Sequence, residues 1–282
     1  MKRNTFFVLI LSLMPILNCT RDKNPLVPES GPFIYPVRAG NQWEYRRSLY
    51  SRPSSEDDQV PTDTTFTETV LQVNPPVMLP GSIQTFPFVE SINDNGRLFT
   101  SESYYANSQK GLYLYAYRYA QGGTLIPKKK AGQKIFFKDQ IFDDMSEIAL
   151  YLTQSIPFQH IMSDSIIYEN PPLLALKYPL TINQKWTYRK PGHPWHIEKK
   201  IVAEEEIKVP AGSFVCFKIQ WLMDIKNDLV WDDDIVFYDY VCEKGLIKRY
   251  ILIKNVKQVD EQGETSLIDS TDEAVLIKVT LK

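Results

Sequence analysis

Two cysteines in the second half of the chain are placed for disulfide chemistry. Cys216 and Cys242 lie on two predicted strands that flank one loop, so they come near each other across a hairpin. A disulfide there would stabilise the fold by restricting the unfolded chain. The alternative is that both thiols are small, buried apolar groups. Because the sequence does not fix the strand register, both interpretations stay open.

The third cysteine, Cys19, follows an export signal. Lys2 and Arg3 precede an apolar run from residue 6 to residue 17, which has the length of a signal peptide and is too short to span a bilayer. The sequence Ile-Leu-Asn-Cys that ends at Cys19 resembles the lipobox of bacterial lipoproteins. The resemblance implies that residues 1–18 are a cleaved signal peptide and that the Cys19 thiol carries a diacylglycerol.

Residues 19–34 are predicted to be a lipidated tether, because Pro25, Pro28 and Gly31 interrupt a polar stretch. Several acyl chains, palmitate among them, would hold the protein stably on a bilayer, whereas one chain would not. The predicted partner is therefore a bacterial membrane, and the predicted location is the cell envelope, facing the periplasm or the cell surface. A formal net charge of -2 provides no basic field for nucleic acid, which argues against that partner.

Other polar clusters do not form a recognisable catalytic or metal site. His193 and His196 lack the third ligand that a zinc site needs. The run from Asp232 to Asp234 lacks the spaced oxygen ligands of a calcium loop and is predicted to be solvated. The chain has three histidines and no Gly-x-Ser-x-Gly sequence, so no nucleophilic triad is indicated. We predict no catalytic residue, no metal and no cofactor; a hydrolase whose site forms only in space is a weaker alternative.

Four tyrosines could form a ligand-binding face. Tyr113, Tyr115, Tyr117 and Tyr119 alternate along one predicted strand, so their rings would point to the same face. If that face is open, it would bind a glycan, a peptide or a lipid. If a second layer covers it, the four rings are core, and this is the interpretation that we favour.

An internal repeat organises the chain. Residues 35–46 align without gaps on residues 178–189, with Tyr, Pro, Trp, Tyr and Arg at matching positions, and two shorter matches follow in the same order. Gly40 and Asn183 occupy the same position of the alignment, just before a predicted strand. Both residue types tolerate a positive φ angle, as a turn at that position requires.

Strand periodicity predicts the fold class. Alternating runs separated by turns recur about every 8–12 residues in the second repeat, and 19 prolines disfavour long helices. We predict a mostly β fold, an antiparallel and strongly curved sheet or barrel-like body built from two diverged repeats, with at most one short helix, within 142–154. The predicted segments are a first repeat at 35–120, a connection at 121–177 and a second repeat at 178–282, with 35–282 as one compact unit. A loop is predicted at 50–65.

The second repeat also resembles a known group of proteins. The residues that carry the resemblance are Tyr178-Pro179-Leu180, Trp186, Tyr188, Val209-Pro210-Ala211-Gly212-Ser213-Phe214 and Lys244-Gly245-Leu246. They are similar to a pattern in secreted bacterial proteins around domain of unknown function 3108 and the pilus-associated proteins likened to it, well over 178–255 and weakly over 35–115. The resemblance implies a strongly curved antiparallel sheet, like the half-barrels of periplasmic lipoprotein carriers, and it implies no catalytic residues.

These features predict a membrane-tethered, non-enzymatic envelope lipoprotein that serves as a binding or assembly module. Its ligand would be an apolar or extended molecule, or an envelope protein, held on the concave face of the sheet. A carrier or chaperone for lipid or lipoprotein is the alternative. A large apolar cavity would favour the carrier, and a flat aromatic surface would favour protein or glycan binding.

Overall fold

Long antiparallel strands dominate the structure. The computed structural model describes residues 32–54, 63–94, 97–119, 134–142, 145, 148, 151–152 and 166–282. The strands are β1 (Gln42–Pro53), β2 (Asp63–Val73), β3 (Val77–Leu79), β4 (Ile83–Asp94), β5 (Arg97–Ser108), β6 (Gly111–Tyr119), β7 (Lys134–Phe137), β8 (Gln140–Phe142), β9 (Ile167–Lys177), β10 (Lys185–Arg189), β11 (His196–Val209), β12 (Gly212–Asp224), β13 (Ile235–Cys242), β14 (Gly245–Val259) and β15 (Thr265–Thr280).

Twelve of these strands follow one path around a nearly closed barrel. Their order is β10-β11-β12-β13-β14-β15-β1-β2-β4-β5-β6-β9. The path consists of two meanders of six strands, β10 to β15 and β1 to β9, joined where β15 pairs with β1. Off this path, β3 pairs with β4, and the β7–β8 hairpin pairs with the end of β14. The prediction of a mostly β, antiparallel, barrel-like body is confirmed.

Matching turns begin the two meanders. Gly40 before β1 has φ +88°, and Asn183 before β10 has φ +68°. Each backbone N–H donates to a carbonyl at 2.8 Å, that of Val73 for Gly40 and that of Ile201 for Asn183. The positive φ predicted at both positions is therefore confirmed. The duplication itself stays a prediction, and matching turns are what it would produce.

Side chains from both meanders fill the inside of the barrel. On β11, for example, Ile197, Lys199 and Ile201 are all buried, because alternate residues of a strand point to the same face. The largest fully buried side chains are Trp43, Phe142, Phe237, Ile148, Leu152, Ile197, Ile201, Ile219, Met223, Ile247 and Ile251. All of them belong to one hydrophobic cluster. The interior is thus a packed core that both meanders share.

One end of the barrel receives the chain from the predicted tether. We call it the tether end; it holds residues 33–41 and 178–184 and the turns before β4, β6, β12 and β14. The ring of Phe33 meets that of Tyr178 at 5.6 Å, and the Tyr35 N–H donates to the Tyr178 hydroxyl at 2.9 Å. Aromatic side chains and main-chain hydrogen bonds therefore close this end.

A second contact at the tether end locks β1 onto the β13–β14 turn. The indole Nε1 of Trp43 donates to the carbonyl oxygen of Lys244 at 2.6 Å. A Cβ atom on Gly245 would lie 2.8 Å from that same nitrogen, and Gly245 has φ +105°. Only glycine fits there, because any side chain would collide with the indole and strain the backbone.

The opposite end, which we call the far end, holds the loops 190–195, 225–234 and 260–264. Core residues close it as well. Met145, Ile148, Tyr151 and Leu152 have helical backbone and are buried, and the Tyr151 ring lies 4.5 Å from that of Trp195. Within the described ranges, no helix has the length and hydropathy that crossing a bilayer requires.

Several segment bounds differ from those predicted. The loop predicted at 50–65 is shorter, because β1 continues to Pro53 and β2 begins at Asp63. The connection predicted at 121–177 also supplies β7, β8 and β9, the last strand of the first meander. The predicted signal peptide, with Cys19, lies outside the described residues.

Candidate functional site

The two ends of the strand path meet at a join that we call the seam, between β9 and β10. Among the described residues these two strands share no backbone ladder. Side chains of β10 and β11 reach across to β9 instead. The Trp186 indole donates to the carbonyl oxygen of Leu174 at 3.0 Å, and the Lys199 ammonium donates to that of Ala175 at 3.2 Å. These side chains close the barrel where the backbone does not.

An ion pair adds to the seam. Arg189 Nη2 lies 2.6 Å from Glu169 Oε1, and both side chains are largely buried. The Tyr117 hydroxyl is hydrogen-bonded to the same pair, while burial, the largest effect, raises the pKa of Tyr117 to about 12. The indole, the ammonium and this ion pair are the three contacts that we call the clasp.

The local sequence explains why the seam lacks a ladder. On its other edge, β9 pairs with β6, and the register jumps between Leu114↔Leu173 and Ala116↔Tyr168. The skipped segment contains Pro171 and Pro172, which have no N–H to give to a neighbouring strand. β10 is also short, ending at Arg189. Neither edge offers a long regular row of donors and acceptors.

Lys199 is the most unusual ionisable group near the seam. It is 5% exposed, and its Nζ lies 3.7 Å from the ring centre of Trp221 and 4.2 Å from that of Tyr188. Burial, the largest effect, lowers the pKa of Lys199 to about 7, because a charge loses its hydration there. A substantial fraction of the amine is therefore neutral near pH 7. The aromatic rings stabilise the charged form through their faces.

The carboxylate that acts on Lys199, that of Asp239, already forms an ion pair with Arg249. Asp239 accepts hydrogen bonds from Arg249 Nε at 2.7 Å and Nη2 at 3.1 Å, and from the Trp221 indole at 2.9 Å. Burial, the largest single effect, acts to lower the pKa of Arg249, but the charge and hydrogen bonds of Asp239, together with Glu90 and Tyr105, raise it overall. Asp239 raises and Arg249 lowers the pKa of Lys199, both less than burial does.

The surroundings of Lys199 restrict access to its amine. A neutral amine is a nucleophile, yet Lys199 is enclosed by two rings and a carbonyl, so a substrate would reach it only through an opened seam. The sequence analysis missed Lys199. The signal was its place between Ile197 and Ile201, on the inward face of a strand.

The predicted cysteine pair is brought together. Phe217 pairs with Val241, which places Cys216 beside Cys242, and both cysteines are free and buried. The hydrogen bond between the two thiols raises the pKa of Cys216. The disulfide stays a prediction; in the oxidised protein it would show as a mass lower by two hydrogens.

The predicted tyrosine face does not extend along the whole strand. Tyr117 lies in the main core with Leu112 and Leu114, whereas Tyr115 packs on a separate cluster around Tyr104. The cause is the register shift between Leu114 and Ala116, since an irregularity in the ladder reverses the alternation. Tyr113 is half-buried, with its ring 6.5 Å from that of Tyr115, and the side chain of Tyr119 lies outside the described ones.

The acidic run is not simply solvated, so that prediction was wrong. Lys138 on the β7–β8 turn lies 2.6 Å from Asp232 and 2.8 Å from Asp234. The ammonium group of Lys138 therefore lies beside the two carboxylates, where a calcium ion could have been expected. His196 packs on Trp231 at 4.9 Å. In the described ranges, no three His, Cys, Asp or Glu side chains meet in a way that could hold a metal ion.

Comparison with known proteins gives few relatives. No protein-family model and no curated protein match the chain. One similar crystal structure is described as a "putative exported protein with YmcC-like fold" from Bacteroides fragilis, at TM-score 0.36 and 13% identity. Another is described as a "putative lipoprotein" from Parabacteroides distasonis, at TM-score 0.34 and 14% identity. Each match covers 88% of this chain and 99% of the other chain. Since both TM-scores lie below 0.5, the fold rests on this chain's own strands.

Proposed function

We propose that the protein is an exported lipoprotein whose barrel is a non-enzymatic binding module, with the seam as its binding site. The lipobox-like sequence that ends at Cys19 supports export and lipid attachment. The observation that carries the binding site is the clasp, three side-chain contacts between the two ends of the strand path, where the described residues form no ladder.

The chemistry of the seam suits an extended peptide segment of an envelope protein. Two strand edges lie side by side there, and the carbonyls of Leu174 and Ala175 are held by side chains rather than by a neighbouring strand. An added strand would offer main-chain N–H groups to those carbonyls, and pockets between alternate side chains would supply specificity. Exchange of side-chain donors for main-chain donors keeps every buried carbonyl hydrogen-bonded.

The packing of the described inward-facing side chains favours a binding module over a lipid carrier. Sites that enclose a small molecule are cavities of about 300–1,000 Å³ lined by apolar side chains. The inward-facing side chains of this barrel instead pack on each other in one cluster, which includes Trp43 and Phe237. The carrier alternative would require many of them to move.

A photo-crosslinking residue tests the seam in living cells. Placed at Tyr168, an exposed position of β9 next to the clasp residue Glu169, it should trap one envelope protein through an extended segment, identified by mass spectrometry. Phe66 on β2 is a matched control, because it is also exposed but lies away from the seam. Equal adducts from both positions, or none from position 168, would contradict the proposal.

Two further measurements test lipid attachment at Cys19 and the carrier alternative. Labelling with a palmitate analogue should mark the full chain and not Cys19→Ala. The protein of residues 20–282, exported without the lipid anchor, should have the same mass under native and denaturing conditions. Extra mass that is lost on denaturation would overturn the binding-module proposal in favour of the carrier.

A further inference from the structure

The tether end combines exposed apolar side chains with positive charge. Ile34 is 58% exposed, Met78 61% and Ile182 53%. Ile34 and Ile182 belong to the two segments of this end, and Met78 belongs to β3, beside the turn before β4. Apolar groups of this size gain free energy when they leave water for the interfacial region of a bilayer.

The cations of the tether end are Arg38, Lys110, Lys244 and Lys282, all with exposed side chains. Among the described turns of this end, the acidic side chain is that of Glu243. Its carboxylate lies 3.7 Å from the ammonium group of Lys244. Arg38 Nη1 also donates to the main-chain oxygen of Lys282, which follows β15 at this end, at 2.8 Å. Positive side chains therefore outnumber negative ones among the described residues of the tether end. Lysine and arginine near an anionic leaflet are each attracted by its surface potential.

The described loops of the far end have the opposite charge. Its loops carry the exposed acids Asp228, Asp233, Glu261 and Glu264 against two exposed cations, Lys190 and Lys226. Leu229 at this end is 78% exposed, so apolar exposure alone does not distinguish the two ends. Charge does, because an anionic surface attracts one end and repels the other.

Chain connectivity selects the same end. The predicted tether, residues 19–34, joins the barrel at Phe33, on the tether end, so residues 20–32 separate Cys19 from the barrel. About 13 residues span at most about 45 Å when fully extended, roughly the thickness of one bilayer. The lipid anchor would keep the barrel within that distance of the membrane.

We infer that the tether end of the barrel lies directly on an anionic phospholipid surface. Ile34, Met78 and Ile182 enter the interfacial region, and the excess cations contact lipid phosphates. The inference rests on the proposed lipoprotein anchor for its biological setting, but the surface itself has an affinity that the unlipidated barrel must show. The seam runs along the barrel wall, so in this orientation its outer side faces away from the membrane end and a partner can reach it.

Flotation with vesicles tests the surface in the absence of the anchor. Unlipidated protein of residues 20–282 should bind vesicles that contain phosphatidylglycerol and not vesicles of phosphatidylcholine alone. Lys110→Gln with Lys244→Gln should weaken binding at least tenfold, since each lysine is worth about fivefold near such a surface. The matched control, Lys190→Gln with Lys226→Gln at the far end, should leave binding unchanged.

An environment-sensitive fluorophore reports which end inserts. Attached at Met78→Cys, it should shift to the blue on addition of anionic vesicles, and at Leu229→Cys it should not. A shift at position 229, an equal loss of binding in the far-end variant, or no binding to anionic vesicles would each overturn the inference.

Palmitate labelling separates this inference from the proposed anchor. If Cys19 is labelled while the unlipidated barrel has no affinity for anionic vesicles, the lipoprotein proposal stands and the docking surface is wrong. If Cys19 is unlabelled while the barrel still binds through its tether end, the docking surface stands and the anchor is wrong.

Discussion

The barrel is closed at two joins between its meanders, and they are built differently. At the first, β1 and β15 share a ladder from Gln42↔Thr280 to Pro53↔Ile268, interrupted by one register shift. At the second, the seam, the clasp replaces the ladder. A ladder distributes its stability over many backbone groups, which no single substitution removes. A clasp depends on a few side chains, so the seam is the join that substitutions and partners can open.

The largest expected effect comes from a buried ion pair at the first join. Arg47 donates to both oxygens of Asp272, at 2.8 and 3.0 Å from its Nε. Arg47→Ala would leave that carboxylate buried without its partner and should lower the free energy of unfolding by about 3–5 kcal/mol. Urea denaturation measures the loss. Arg47→Met combined with Asp272→Leu should recover most of it, and a double variant as unstable as the single one would contradict the electrostatic explanation.

The next effect concerns Lys199 and depends on pH. Its pKa of about 7 in the folded protein lies below its ordinary value of 10.5, so the unfolded chain binds the proton more tightly. The stability contributed by Lys199 should therefore rise between about pH 7 and pH 10, by up to about 1.4 kcal/mol per pH unit, and should be constant below that window.

Lys199→Met is the control for this pH dependence. Urea denaturation of both proteins at several pH values should show wild type gaining on the variant as pH rises. Tyr188 beside the amine should not disturb the comparison, because burial strongly raises its pKa. A constant difference between the two proteins from pH 7 to pH 10 would show that Lys199 stays charged in the fold.

A smaller effect should separate the two joins most clearly. Trp186→Phe keeps an aromatic ring but removes the donor to Leu174, leaving a carbonyl unsatisfied at a cost of about 1–2 kcal/mol. Amide hydrogen exchange should accelerate in β9 and β10 and stay slow in β1 and β15. Trp43→Phe, which removes the donor to Lys244, is the matched control and should not accelerate exchange at the seam. Uniform acceleration in both variants would mean that the joins are equivalent.

The smallest effect is expected from an exposed pair across the first join. Lys278 Nζ lies 2.7 Å from Glu44 Oε1, and the lysine side chain is mostly solvated. Lys278→Gln should change the free energy of unfolding by less than about 1 kcal/mol, because solvent screens such pairs. If thermal or urea denaturation shows a larger loss, side chains contribute more to the first join than its ladder implies.

The strands were predictable where alternation is regular and turns are marked. β12 and β13 begin and end within one residue of the runs that alternate in the sequence, because Gly212 and Asp224 bound the first and Cys242 ends the second. β9 was not predicted, since Pro171 and Pro172 are typical of a break and only pairing with β6 makes the segment a strand.

The candidate site was less predictable, because it depends on how the two meanders meet. A lysine on a strand usually indicates a solvated face, and Lys199 is buried only because Trp221 and Tyr188 enclose it. The alternation of the tyrosines could not be followed along the whole strand for a related reason: a ladder irregularity near Leu114 is set by the neighbouring strands and leaves no clear mark in the sequence.

If the chain is exported as proposed, the ladder between β1 and β15 has a consequence for when the barrel can close. Arg47 and Asp272 are 225 positions apart, so the most extensive join unites strands at opposite ends of the sequence. A chain that crosses a membrane from its N-terminus delivers β1 long before β15. Until β15 arrives, β1 has an unpaired edge, which is a template for aggregation. Contacts this distant make folding slow. In an exported chain the barrel would therefore close late, after β15 has crossed the membrane.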